Sequence, residues 1–251
     1  MNSFKTSFLF LFLLVIGTVS AQEIITDRPD QTESSSVVPF KSLQIEAGAL
    51  FLRSNGVQTN NHPSILWRYG ISKSIEFRLQ TQYESNKVIK NSLKSNGVSD
   101  LQIGTKIRLL KKENVNTEIA FLSHVLLPTA NSKITNSKFG SINKLAVSNS
   151  LTDNLGIGYN IGYDYFGSGN GDLTYSVALG FSIAKKIGFF MESYGSYVEF
   201  KNNLLSFDTG FTYQLKRNLQ FDISYGTGLN YDMKFFSTGV SWNIKTLKKS
   251  L

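Results

Sequence analysis

The chain has 251 residues, 41% hydrophobic and 13% aromatic, with 20 Gly, 4 Pro and no Cys. This suits one large β-rich domain or two small ones, and the missing Cys excludes a disulfide framework and thiol chemistry. The formal charge of +8 does not point to nucleic acid, because Lys and Arg are scattered through strands and turns with no basic run.

The first segment reads as a secretory signal peptide over residues 1–21: Lys5 ahead of an apolar run from Phe8 to Ile16, then Val19-Ser20-Ala21 at a cleavage position. The run is short for a membrane helix, and no later apolar run is long enough for one. Residues 22–40 form a polar segment, QEIITDRPDQTESSSVVPF, with no strand or helix period. Residues 41–251 form the remaining unit, and from Ser42 onward the chain alternates.

The clearest case is Ser74 to Ser85. Ile75, Phe77, Leu79, Thr81 and Tyr83 share one side of an extended chain, and Glu76, Arg78, Gln80, Gln82 and Glu84 share the other. Twelve such strands can be drawn: 42–53, 64–71, 74–85, 99–109, 116–127, 142–151, 154–166, 172–183, 187–200, 204–214, 218–227 and 233–244. A soluble sandwich would hide the apolar faces between two sheets, whereas a transmembrane barrel turns them to lipid. Strand length, aromatics near strand ends (Trp67, Tyr69, Tyr163, Tyr213, Trp242) and an even count favour the barrel. The predicted fold is all-β, a transmembrane antiparallel up-and-down barrel of about 12 strands with a short N-terminal periplasmic or plug segment.

Short polar turns fall at Ser72-Lys73, Lys111 to Asn114, Thr152-Asp153, Lys185-Lys186 and Lys216-Arg217, on the expected periplasmic side. Outer loops are expected at 54–63, 86–98, 128–141, 167–171, 201–203 and 228–232. The last strand, FFSTGVSWNI, resembles the C-terminal assembly signal of bacterial outer-membrane proteins, although a basic tail follows it.

Thr26 to Ser34, TDRPDQTES, followed by Pro39 and by a first strand holding Gln44, Glu46 and Gly48, resembles the N-terminus of a Bacteroidetes-type outer-membrane family, the "putative MetA-pathway of phenol degradation" or transporter family. The resemblance implies an outer-membrane β-barrel passing small molecules, aromatic or hydrophobic ones among them. Asp27, Arg28, Asp30 and Glu33 sit where a polar segment could fold inward and plug a lumen too wide for side chains alone. The competing reading is a disordered periplasmic leader.

Alternation places Arg68, Arg78, Lys106, Arg108 and Lys144 inward on the second to sixth strands, with Glu76, Glu84 and Glu118 among them. It places Asp164, Glu192, Asp208 and Asp222 inward on the seventh to eleventh. Bases would line one wall and acids the other. Charge in an enclosed space must be paired or wet, so either water fills the lumen, giving a selectivity lining, or the walls bridge and close it.

Enzymatic signals are weak. His62 lies in an expected outer loop and His124 inward near the outer rim, with no nucleophile motif beside them. Two His without Cys argue against zinc. The expectation is an outer-membrane channel with no enzymatic activity, cofactor, metal or nucleic acid, whose partners are outer-membrane lipid and a small-molecule solute. The alternative is a closed structural or surface-binding barrel using its outer loops.

Overall fold

A computed structural model describes residues 24–112 and 116–245. The expected signal peptide, part of the turn after Lys111 and the basic tail beyond Lys245 lie outside the described residues.

The strands are β1 (Ser42–Ser54), β2 (Val57–Gly70), β3 (Ile75–Val88), β4 (Lys94–Val98), β5 (Leu101–Lys111), β6 (Thr117–Leu127), β7 (Gly140–Thr152), β8 (Leu155–Tyr165), β9 (Asp172–Ala184), β10 (Ile187–Val198), β11 (Asn202–Lys216), β12 (Leu219–Gly228) and β13 (Met233–Lys245). Nearly every strand pairs antiparallel with its neighbours in sequence. β1 then pairs with β13 along its whole length, from Ser42↔Lys245 to Ser54↔Met233. That pairing closes a twelve-strand barrel and removes the sheet edge.

β4 is the extra strand. The inner half of β3, Ile75 to Gln80, pairs with β5, and its outer half, Tyr83 to Lys87, pairs with β4. β4 and β5 thus flank one side of β3 in succession, and much of the expected 86–98 loop is strand.

The expected loop at 54–63 is also strand. Asn55 and Gly56 take φ of 47° and 78°, both left-handed. An Asn-Gly pair tolerates that geometry, which matches the twist of the flanking strands and makes a two-residue hairpin. Pro63, which cannot donate to a ladder, falls where the β2–β3 register shifts between Asn61 and Ser64.

Burial decides what surrounds the barrel. The largest fully buried side chains are Arg68, Arg78, Lys106, Gln44, Glu46, Glu76, Glu192 and Asp208, with Leu122 the one large apolar group among them. Meanwhile Ile161 is 55% exposed and Phe211 and Trp242 are each 48% exposed. A soluble domain would reverse this. An apolar exterior around a charged interior is stable when hydrocarbon covers the outside. Tyr69, Tyr213 and Trp242 stand exposed toward the turn end and Phe51, Tyr163 and Tyr197 toward the loop end, as two interfacial aromatic girdles would.

Candidate functional site

The lumen is crossed by the chain's own N-terminal segment. It enters at the turn end, where Ile24 N donates to Arg217 O at 2.9 Å. It leaves at the same end, where Phe40 bridges to Gly70. Between these points it makes an inward loop whose side chains meet both walls.

Asp27 is the centre of the basic wall. Arg78 Nη1 donates to Asp27 Oδ2 at 2.6 Å, and Lys106 Nζ reaches both of its oxygens at 2.9 Å. Arg68 Nη1 lies 3.2 Å away. Ser34 donates to Asp27 Oδ1 through backbone N at 2.9 Å and Oγ at 2.7 Å, which folds the segment back on itself. Glu33 accepts from Arg78 Nη2 at 2.9 Å. The wall supplies acids as well: Arg68 pairs with Glu46 and Glu76, each at 2.8 Å.

Three bases (Arg68, Arg78, Lys106) thus meet four acids (Asp27, Glu33, Glu46, Glu76). Taking away the two that the segment supplies changes a balance of 3 − 4 = −1 into 3 − 2 = +1. Arg108, nearer the turn end, pairs with Glu118 at 2.8 Å.

The opposite wall holds the segment through other groups. Arg28 Nη2 donates to Asp222 Oδ1 and to Ser237 Oγ, each at 2.9 Å. Its guanidinium lies over Gly48 and Gly239, which face each other across β1 and β13. A Cβ on either glycine would come within 2.4 Å of an Arg28 atom, so these positions stay bare to admit it. Gln31 N donates to Glu192 Oε2 at 2.7 Å, and Thr32 Oγ1 donates to Glu192 Oε1. Glu33 N donates to Asn160 Oδ1 at 2.7 Å. Among the described residues no ion pair joins the two walls directly; those that cross run through Asp27, Arg28 and Glu33.

Asp30 differs from its neighbours. No ion pair to it occurs among the described residues. Burial, and then the Glu192 carboxylate, push its carboxyl well above the usual range. For Asp27, burial acts upward, but Arg68, Lys106 and Arg78 outweigh it and hold the carboxyl well below that range. These two shifts set opposite pH limits on docking of the segment. Asp27's contribution is present above the free carboxylate value of about 3.9 and is lost as pH falls below it. Docking strain from Asp30 grows as pH rises from that same value through its raised one. Docking is therefore expected to be strongest at mildly acidic pH. Protease cleavage of the segment in detergent-solubilised protein should be slowest near about pH 4, where the two effects cross, and quicken toward neutrality; a rate flat across that interval refutes this.

The segment leaves space at both ends. A cavity of about 740 Å³ toward the turn end is lined by Thr26, Asp30, Lys111, Glu118 and Gly158. Two cavities of about 230 and 210 Å³ lie toward the loop end.

A family model described as "Putative MetA-pathway of phenol degradation" matches residues 26–244. The chain belongs to this family. In this family member the match begins at the inward-folded segment and runs through all the strands. Among solved structures, the chain is similar to "KdgM porin in complex with disordered oligogalacturonate", with 11% identity and a TM-score of 0.57, over 79% of this chain and 98% of that one. It is also similar to the NanC porin, with 12% identity and a TM-score of 0.53, over 79% and 98%. At that identity the likeness is one of fold. No match is found among curated proteins.

The structure places every site residue named from the sequence. Arg68, Glu76, Arg78, Lys106, Asp164, Glu192, Asp208 and Asp222 are buried inside the barrel, and Arg108 and Glu118 pair near the turn end. Asp27, Arg28 and Glu33 reach lumen charges, while Asp30 faces acids instead. Two participants, Glu46 and Asn160, are not among the lumen residues named from the sequence, and His124 is displaced from its expected depth. Glu46 is inward by the same alternation that faces Leu43, Ile45 and Ala47 outward. Asn160 brackets Glu33 from β8. His124 sits level with Arg78 rather than at the rim, its Nε2 accepting from Arg78 Nε at 3.0 Å. The alternation that signals Glu46 is in the sequence; the Asn160 contact depends on the path of the segment, and the His124 contact on how β3 and β6 are staggered through β5.

Proposed function

We propose that this protein is an outer-membrane channel for small molecules, in which the N-terminal segment is a partial plug and the inward charges are the selectivity lining. The observation that carries this is the filled cross-section itself. A lipid-facing barrel encloses ionised side chains and polar cavities on both sides of a segment held by polar contacts, not by an apolar core. A purely structural barrel has no need of a charged interior, since packed apolar groups do as well or better. The family's description, phenol degradation, supports aromatic compounds among the solutes.

Ion selectivity tests the lining. Reversing Arg78 and Arg108 to Glu removes two positive and adds two negative charges on one wall. In planar bilayers under a salt gradient, the reversal potential should move toward cation selectivity. The lining reading falls if the potential of the doubly reversed protein equals that of the parent. Swelling of liposomes in a panel of small solutes tests passage. Absence of flux, both from the full chain and from a chain lacking the segment, would favour a closed barrel acting through its outer loops.

A further inference from the structure

The inward bases other than Lys144 are all paired, with Asp27, Glu33, Glu46, Glu76, Glu118 or Asp222. Lys144, on β7, has no ion-pair partner among the described residues. Its stem passes over Gly162, whose absent side chain leaves room for it, and it lines the cavity of about 230 Å³ beyond the segment.

On the neighbouring strand β8, Asp164 lines the same cavity. It is 9% exposed, and its Oδ1 has no hydrogen-bond partner. Thr174 Oγ1, from β9, is a second orphan in the lining. An ammonium, a carboxylate and a hydroxyl, each left without a protein partner, thus face one small space. The ladder sets their separation: Lys144 lies opposite Gly162, two residues from Asp164. Diagonal cross-strand neighbours have backbones about 7–8 Å apart, a span that a Lys side chain can bridge, yet Lys144 and Asp164 form no ion pair among the described residues, which leaves both charges open to one compact molecule.

The remaining lining narrows the class. Tyr194 and Tyr231 contribute rings, with Tyr231 OH fixed 2.9 Å from Ser206 Oγ. Gln31 of the N-terminal segment also lines the space. The volume corresponds to about eight waters at about 30 Å³ each, hence a solute of on the order of ten heavy atoms. A simple anion would satisfy Lys144 and leave Asp164 beside a like charge. A simple cation would do the reverse, and a neutral phenol would offset neither.

We infer that this cavity is a binding site for an amino-acid-sized zwitterion, its carboxylate on Lys144, its ammonium on Asp164 and its side chain against Tyr194 and Tyr231. The site rests on the channel reading for its purpose, since it names a solute class, but binding itself does not require an open lumen.

Calorimetric titration of the full chain in detergent separates the two questions. L-Phenylalanine should bind saturably. Phenethylamine, which lacks the carboxylate, and 3-phenylpropionate, which lacks the ammonium, should each bind at least about tenfold more weakly. Lys144→Met and Asp164→Asn should each weaken L-phenylalanine by about tenfold. Lys144→Met should strengthen phenethylamine binding by removing a like charge beside it, a readout that a folding defect would not reproduce. Lys138→Met, in the outer loop, should change nothing. The assignment is overturned if L-phenylalanine shows no saturable heat up to about 10 mM, a limit corresponding to roughly 3 kcal/mol of binding. Equal affinity for phenol or 3-phenylpropionate also overturns it. A channel that conducts without such binding would sink the site alone; binding without conductance would sink the channel alone.

Discussion

Deleting residues 24–38 is expected to raise single-channel conductance several-fold. The segment occupies the middle of the lumen and touches both walls, so its removal joins the cavity at the turn end to those at the loop end. The barrel should survive, because its wall is closed by β1–β13 pairing that begins at Ser42 and draws nothing from the segment. Two sets of wall charges lose partners on deletion: Asp222 loses Arg28, and the Arg68–Arg78–Lys106 group loses Asp27 and Glu33. Both then face water, which screens them at low cost. Unchanged conductance in planar bilayers would show that the segment does not obstruct passage.

Asp27→Ala is expected to release the segment almost as completely as deletion does. Three buried cations converge on this one carboxylate, and Ser34 uses it to turn the chain. Removing one member of a buried ionic group costs about 3–5 kcal/mol, mainly because the remaining charges stay desolvated. That exceeds any single remaining contact of the segment, whether a neutral hydrogen bond at about 1 kcal/mol or a charge-assisted one such as Arg28 to Asp222 at about 1.5–3 kcal/mol. Asp27→Asn keeps the acceptor for Ser34 and should fall between the parent and Asp27→Ala. The measurement is single-channel conductance together with protease cleavage of the segment. A protected segment and parental conductance in Asp27→Ala would mean that contacts with Glu192 and Asn160 suffice.

The wall of this protein was readable because strand alternation is a local property. Ile75 to Tyr83 sort from Glu76 to Glu84 by position alone, and the same rule put Asp164, Glu192, Asp208 and Asp222 inside. The errors were of extent. The Asn55-Gly56 turn is a two-residue hairpin signal in its own right, yet the polar residues between it and Pro63 resemble a loop. At an outer rim a strand can protrude into water with both faces wet, so its hydrophobic period vanishes while its hydrogen bonding continues. The same explains β4, whose Lys94 to Val98 carries no apolar stripe.

The outer loops hold one further organiser with no sequence signal. Asp100 sits between β4 and β5 and accepts from Ala130 N, Thr135 Oγ1 and Asn136 N at 2.8–3.0 Å. Its partners lie 30 to 36 positions away.

The amino-acid order alone settled which face of each strand meets lipid and which meets the enclosed space, because a period of two leaves a side chain no third choice. It did not settle what meets what inside. Asp27 finds Lys106 79 positions later, and Arg28 finds Asp222 194 positions later. Those encounters exist only once twelve strands have closed and fixed the distance between walls. The pairing of a charge across a lumen is a consequence of barrel diameter and segment path, quantities that no local pattern encodes.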